Sequence, residues 1–328
     1  MSFDDADTLS MYRRMILIRR FEETAVGLRT GGEIYGPVHP YIGQEAIAVG
    51  VCSQLSAQDR IASTHRGHGH CLAKGADPAK MFAELYGRRD GYCGGKGGSM
   101  HIADFSIGML GANGIVGASL SIAAGAALAA QFEGAGSVAV AFFGDGAVGT
   151  GAFHEAMNLS SLWNLPVVWV CENNGWAVRT PLSENVAAEQ VTTLAGAHGI
   201  PSVQVDGNDV EAVAAAACVA VSRARAGHGP SFVEAVTYRM TVHAYLDKTV
   251  PDPRDPVERE AWRQRDPIDH YREVLTARSV LDGTADAGLR STIEAEIADA
   301  VEYARRSPLP SLSSALDDVF SAEEGVLA

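Results

Sequence analysis

Apolar side chains recur every three to four positions over residues 8–28 (Leu9, Tyr12, Ile16, Phe21, Val26), which predicts an opening helix that the Gly31-Gly32 pair stops. A second helix is expected around residues 44–55. The period changes in the middle of the chain. Short, uniformly apolar runs at 137–143, 166–171, 202–205 and 231–238 read as strands, and they alternate with helical patterns at 152–163, 187–198 and 210–226. Such strands, separated by helices, predict an α/β fold: a doubly wound parallel sheet flanked by helices on both faces. Two charged helices, near 267–277 and 287–306, follow a proline-bearing segment at 247–255. Residues 1–328 are expected to form a single domain with an N-terminal helical arm (1–35) and a C-terminal helical extension (256–328).

Three stretches depart from this alternation. HRGHGH at 65–70 reads as a glycine-bearing connection. Residues 91–114 hold eight glycines, too many for regular structure, and are expected to bring backbone close to a ligand or another chain. Gly117, Ser121, Gly125 and Ala129 then fall on one helical face, so a neighbour could pack very close there, either this chain's own sheet or another subunit. The uncharged run 105–132 is dominated by Gly, Ala and Ser, which suits a buried helix better than a membrane span.

Charge narrows the function classes. A net charge of −14 and a pI near 5.1 oppose binding to nucleic acid or an anionic membrane, so any phosphate must be held by a few well-placed groups. Five scattered cysteines with no CxxC pair suit reduced thiols, and residues 1–8, with three Asp and no apolar run, resemble neither a signal nor a transit peptide. A cytoplasmic protein is expected.

The candidate chemistry lies at two strand ends, Phe143-Gly144-Asp145-Gly146 and Glu172-Asn173-Asn174-Gly175. In an open parallel sheet, ligands bind beyond the carboxyl ends of the strands. One strand-helix-strand unit separates Asp145 from Asn174, which brings a carboxylate and a carboxamide to the same edge. Those hard oxygens suit Mg²⁺ that also coordinates phosphate oxygens. Gly144 and Gly146 allow close approach of the main chain, and the next helix aims its N-terminal amides the same way. Either motif alone could be a plain turn.

GDG, about thirty residues and then NN resembles the thiamine-diphosphate motif. From about residue 11 to 306 the chain resembles the α subunits of two-chain pyruvate and acetoin dehydrogenases. The stretches that carry this are Gly43-Gln44-Glu45-Ala46, the run from Gly94 to His101, Asn113-Gly114-Ile115-Val116-Gly117, and Leu165-Pro166 ahead of Glu172-Asn173-Asn174.

The resemblance implies two cofactors, thiamine diphosphate and Mg²⁺, and a role for each of several residues. Asp145, the Asn174 side chain and the Trp176 carbonyl would ligate the metal, while the Gly146 and Ala147 amides would touch diphosphate. Arg66 would pair with a terminal phosphate oxygen, with His65 beside it, where pyruvate-type members often carry Tyr and acetoin-type members look like this chain. Gly114 and Val116 would meet the aminopyrimidine ring. His39 and His243 would face the thiazolium and a small carbonyl substrate, and His243 and His68 are the candidate proton-transfer groups. A zinc cluster of His65, His68 and His70 is the alternative, but no fourth ligand is nearby and Arg66 interrupts it.

The glutamate that activates the cofactor would come from a separate β subunit, which implies an α₂β₂ heterotetramer, and the acyl group would pass to a lipoyl-bearing acyltransferase. A non-oxidative carboligase and a partner without catalysis stay open, although the presence of Asp145, Asn174 and Arg66 argues against lost catalysis. Two departures from the family pattern stand out. Val242 replaces a frequent glycine beside His243, where a β-branched residue resists positive φ, and Gly149-Thr150 replaces a frequent Asn-Gln pair.

Overall fold

The computed structural model of the chain describes residues 3–246 and 251–318. Its eight strands are β1 (Arg60–Ala62), β2 (Met109–Gly111), β3 (Ala139–Gly144), β4 (Val167–Asn173), β5 (Trp176–Ala177), β6 (Thr180–Pro181), β7 (Ser202–Asp206) and β8 (Ser231–Val236). The helices are α1 (Asp5–Thr30), α2 (Glu45–Cys52), α3 (His68–Lys74), α4 (Pro78–Leu85), α5 (Ala118–Glu133), α6 (Gly151–Leu162), α7 (Leu182–Asn185), α8 (Val191–Gly196), α9 (Val210–Arg225), α10 (Pro256–Arg263), α11 (Pro267–Ala277) and α12 (Gly283–Arg306).

Six strands pair in the order β2-β1-β3-β4-β8-β7, every pair parallel, while β5 and β6 form a small antiparallel hairpin. The expected α/β sheet is therefore present, and the side-chain period of two accounts for its two covered faces. Val140, Phe142, Val168, Val170, Val233 and Ala235 point into one apolar cluster with α1, α2, α9, α11 and α12. Their neighbours Ala141, Phe143, Val167, Trp169, Cys171 and Phe232 point into the other, with α5, α6 and α8. Helix α1 buries ten residues, eight of them in the first cluster, and packs along α12.

Several elements differ from expectation. HRGHGH is not wholly a connection: α3 starts at His68 and buries its residues through Ala73. Strand β1, strand β2 and α4 were not anticipated, and the helix expected at 187–198 covers only Val191–Gly196. Part of the proline-bearing segment at 247–255 lies outside the described residues.

The small-residue stripe is resolved in one direction. Leu120, Ala123, Ala127 and Ala130 of α5 face the sheet, whereas Ser121, Gly125 and Ala129 are exposed, with Ile122 and Phe132 beside them. Among the described residues no helix is long and apolar enough to cross a membrane.

Glu84 explains much of the glycine-rich stretch. Its fully buried carboxylate accepts from Gly97 N–H (2.7 Å) and Gly98 N–H (3.0 Å) at Oε1, and from Cys93 N–H (2.8 Å) and Gly95 N–H (2.9 Å) at Oε2. The backbone of 91–98 thus closes on this chain's own α4, because four amide donors satisfy a buried charge that would otherwise be costly.

Candidate functional site

Strands β3 and β4 pair in register up to Gly144 and Glu172, so the turns that follow them lie side by side at the carboxyl edge. A cleft opens there. Asp145, Gly146, Ala147, Asn174, Trp176, Val116, His65, Arg66 and His243 all line it. His39 adjoins, its ring 4.8 Å from that of His65 and 5.0 Å from that of His243. Gly114 lies beside Met100 and His101, with its neighbours Asn113 and Ile115 in the wall.

His68 is not brought to this cleft. It is buried in α3, with Nδ1 3.0 Å from Glu22 and Nε2 3.0 Å from Ser99 Oγ, so both ring nitrogens are engaged structurally. His70 is likewise engaged, between Ser63 Oγ at 2.7 Å and Glu172 at 2.9 Å, and stacks on Phe142. Tyr41 donates to the same Glu172 oxygen, and burial followed by that carboxylate holds its hydroxyl well above the usual range.

Asp145 provides the test of a metal. The residue is 1% exposed and its Oδ2 has no hydrogen-bond partner. Burial lifts its pKa to about 6, against the opposing pull of the Asp145 and Asn174 backbone amides and of Arg239. An unpaired buried oxygen of this kind is costly and suits a hard cation. Asn174 stands next to it, held by Nδ2–H donation to Gln44 Oε1 (2.9 Å) and by acceptance from Trp176 N–H (3.2 Å). A Cβ on Gly146 would come within 2.8 Å of Ala177 Cβ, so glycine is needed here for the hairpin to close over the turn.

The opposite wall is cationic. Arg66 is buried, donating to Pro40 O (2.7 Å) and His243 O (3.2 Å). Arg239 donates to His243 Nδ1 (3.1 Å) and to Val178 O (3.0 Å), and its Nε is buried without a partner. Burial lowers Arg66 to about 10 and Arg239 to about 9, the latter helped by Arg66 and Arg254. Burial and then Arg66 depress His39 and His243 to about 2 and His65 to about 3, so all three imidazoles are neutral near pH 7. Their nitrogens come within 4.8 Å of one another, a different trio from the zinc cluster considered above. Two adjacent guanidiniums make that trio a poor cation site and, with it, a receptor for an anion.

Two features had weak signals in the sequence. Arg239 stands in the Tyr-Arg pair ahead of His243, and Gln44 in the Gly-Gln-Glu stretch, but neither spacing shows that they converge on the cleft. Val178 had none. It takes φ +57° in the turn between β5 and β6, a left-handed conformation unusual for a β-branched residue, and its carbonyl is the one Arg239 holds. Val242, by contrast, is absent from the residues with positive φ, so the chain passes it without that strain. Thr150 caps α6 through Oγ1 to Phe153 N–H, while Gly149 lies against Asn185.

Comparison with known proteins agrees with this arrangement. The family model described as dehydrogenase E1 component matches residues 13–313. The α subunit of acetoin:2,6-dichlorophenolindophenol oxidoreductase from Bacillus subtilis is 44% identical over 99% of this chain and 96% of its own length. Its counterpart in Cupriavidus necator is 43% identical over 97% and 95%. The pyruvate dehydrogenase E1 component subunit alpha of Rhizobium meliloti is 39% identical over 97% and 91%. A match that spans both the sheet and the cleft, at these identities and over nearly the whole length, leaves one conclusion: the chain belongs to the dehydrogenase E1 component family.

Proposed function

We propose that this chain is the α subunit of a thiamine-diphosphate-dependent dehydrogenase that cleaves the carbon–carbon bond next to a carbonyl, with acetoin or pyruvate as the substrate class. The observation that carries the reading is the unpartnered, buried Asp145 oxygen beside Asn174, in one cleft with Arg66 and Arg239. Asp145, Asn174 and the Trp176 carbonyl would hold Mg²⁺, and Arg66 and the Gly146 and Ala147 amides would hold the diphosphate. Val116, with Gly114, would back the aminopyrimidine. Thiamine diphosphate, when bound, supplies the nucleophilic carbon and the electron sink for the cleavage. His243, neutral and lining the cleft, and His39, neutral and packed against it, would hold the substrate oxygens and exchange protons with them.

The partner implied by relatives named as α subunits is a β chain; on this reading the two would form an α₂β₂ assembly, with β supplying the activating glutamate. The acyl group would leave on a lipoyl arm of an acyltransferase. The test is co-expression with the candidate β chain and titration with thiamine diphosphate and Mg²⁺, for wild type and for Asp145→Ala. Binding that needs both chains and disappears with Asp145→Ala is expected; binding indifferent to Asp145 would remove the metal assignment. Acyl transfer to lipoamide supports the dehydrogenase, and acyloin formation without it would support a carboligase instead.

A further inference from the structure

Arg254 sits outside the cleft yet holds the segment that builds one of its walls. It is 2% exposed, and its guanidinium is gripped by Asp252, with Nε to Oδ1 at 2.9 Å and Nη2 to Oδ2 at 2.7 Å. Its remaining donors reach back to the main chain: Nη1–H to Arg239 O and Nη2–H to Thr241 O (2.6 Å). The plane lies over the Tyr238 ring, 4.9 Å from its centroid, and Tyr238 in turn stacks on Trp262 of α10 at 5.5 Å and 5°. Three of the four positions 238–241, Tyr238, Arg239 and Thr241, are thus bound by a single planar cation. The two residues that this segment sends to the cleft are Arg239 and His243, and they are bonded to each other.

We propose that Arg254, oriented by Asp252, is a positioning residue for the cofactor cleft: it clamps the 238–241 main chain and so sets Arg239 and His243 at the cleft wall. A guanidinium suits this better than an ammonium because its fork can hold a carboxylate on one edge and two carbonyls on another, all in one plane. Neither Arg254 nor Asp252 lines the cleft, so their effect passes through Arg239 and His243. The assignment rests on the cofactor reading above.

The test uses the assembled complex with its β chain and reads thiamine-diphosphate affinity in the presence of Mg²⁺. Arg254→Met is expected to weaken binding at least about tenfold, with Arg254→Lys recovering part of it, because one ammonium cannot replace all of the fork's bonds. The thermal midpoint of the cofactor-free complex is expected to move far less than affinity does. In a double-mutant cycle, adding Arg254→Met to Arg239→Met should cost less than about twofold more, since residues that act through one another are not additive. Full additivity, or unchanged affinity in Arg254→Met, overturns the clamp. If Arg254→Met yields no folded complex, Asp252→Asn, which loosens the guanidinium and keeps its carbonyl bonds, carries the same comparison. A wild-type complex that does not bind the cofactor overturns the cofactor reading and the clamp together, whereas wild-type binding with indifferent Arg254 and Asp252 variants overturns the clamp alone.

Discussion

Arg239 donates a hydrogen bond from Nη1 to Nδ1 of His243 over 3.1 Å. A guanidinium only donates, so Nδ1 must accept, and the neutral ring carries its proton on Nε2. Nitrogen-15 NMR of the imidazole should show that tautomer at pH 7 and no titration down to pH 5, since burial, Arg66 and Arg239 hold the group at about 2. Arg239→Met should raise its pKa toward 6.5; a resonance pattern with the proton on Nδ1 would mean the contact does not form.

Acid should weaken the fold through the same cluster. His39, His65 and His243 have folded pKa values below their unfolded value, so the stability they permit is complete above about 6.5 and is lost as pH falls below it, toward 2 to 3. Asp145 acts in the opposite sense, taking up a proton in the folded state below about 6, but it is one group against three. Discounted for the partial exposure of His65 and His243, the net slope is on the order of 1 kcal/mol per pH unit near pH 5. Denaturant melts of wild type and His39→Gln between pH 7 and 5 should show the variant's dependence to be the shallower; equal slopes would remove the cluster as the cause.

At Asp145 the requirements of folding and binding pull apart. A buried carboxylate raised to about 6 is ionised at pH 8 against its surroundings. Asp145→Asn should therefore stabilise the metal-free chain, by about 2 kcal/mol, while abolishing Mg²⁺-dependent cofactor binding. Calorimetric melting without metal, paired with a cofactor titration, reads both, and a destabilised variant would show that the lost oxygen had an internal partner.

Glu84→Gln leaves one acceptor oxygen where two pairs of backbone donors converge. Two amides lose their partner and face an NH₂ group, at a cost of about 1–3 kcal/mol each. Hydrogen exchange should accelerate at Cys93 and Gly95 or at Gly97 and Gly98, according to which oxygen is replaced. Unchanged protection at all four would count against the carboxylate as organiser of this loop.

The central sheet and the metal-side residues were legible because β3 and β4 are six or more residues of nearly unbroken apolar sequence, each ending in a motif, so that placing the strands also places Asp145 and Asn174. Strand β1 is three residues long and carries no periodicity to read. The helix α3 was hidden by Gly67 and Gly69, which suggest a turn; a side chain at Gly69 would collide with the Tyr41 ring, so packing rather than chain reversal explains that glycine. His68 was a candidate for proton transfer, but as the first residue of α3 it turns its ring to Glu22 and Ser99 instead. Glu84 and Arg254 act on backbone amides and carbonyls nine to fifteen residues away, and backbone partners leave no mark in a residue pattern.

The outward face of α5 bears on the chain before any reaction begins. Ser121, Gly125 and Ala129 leave it nearly flat, Phe132 stands 82% exposed at its end, and α6 alongside shows Leu162 and Trp163 to solvent. Apolar surface of this kind draws copies together in a crowded medium. Left uncovered, this face makes the isolated chain prone to self-association, a liability set by a helix surface and not by the cleft.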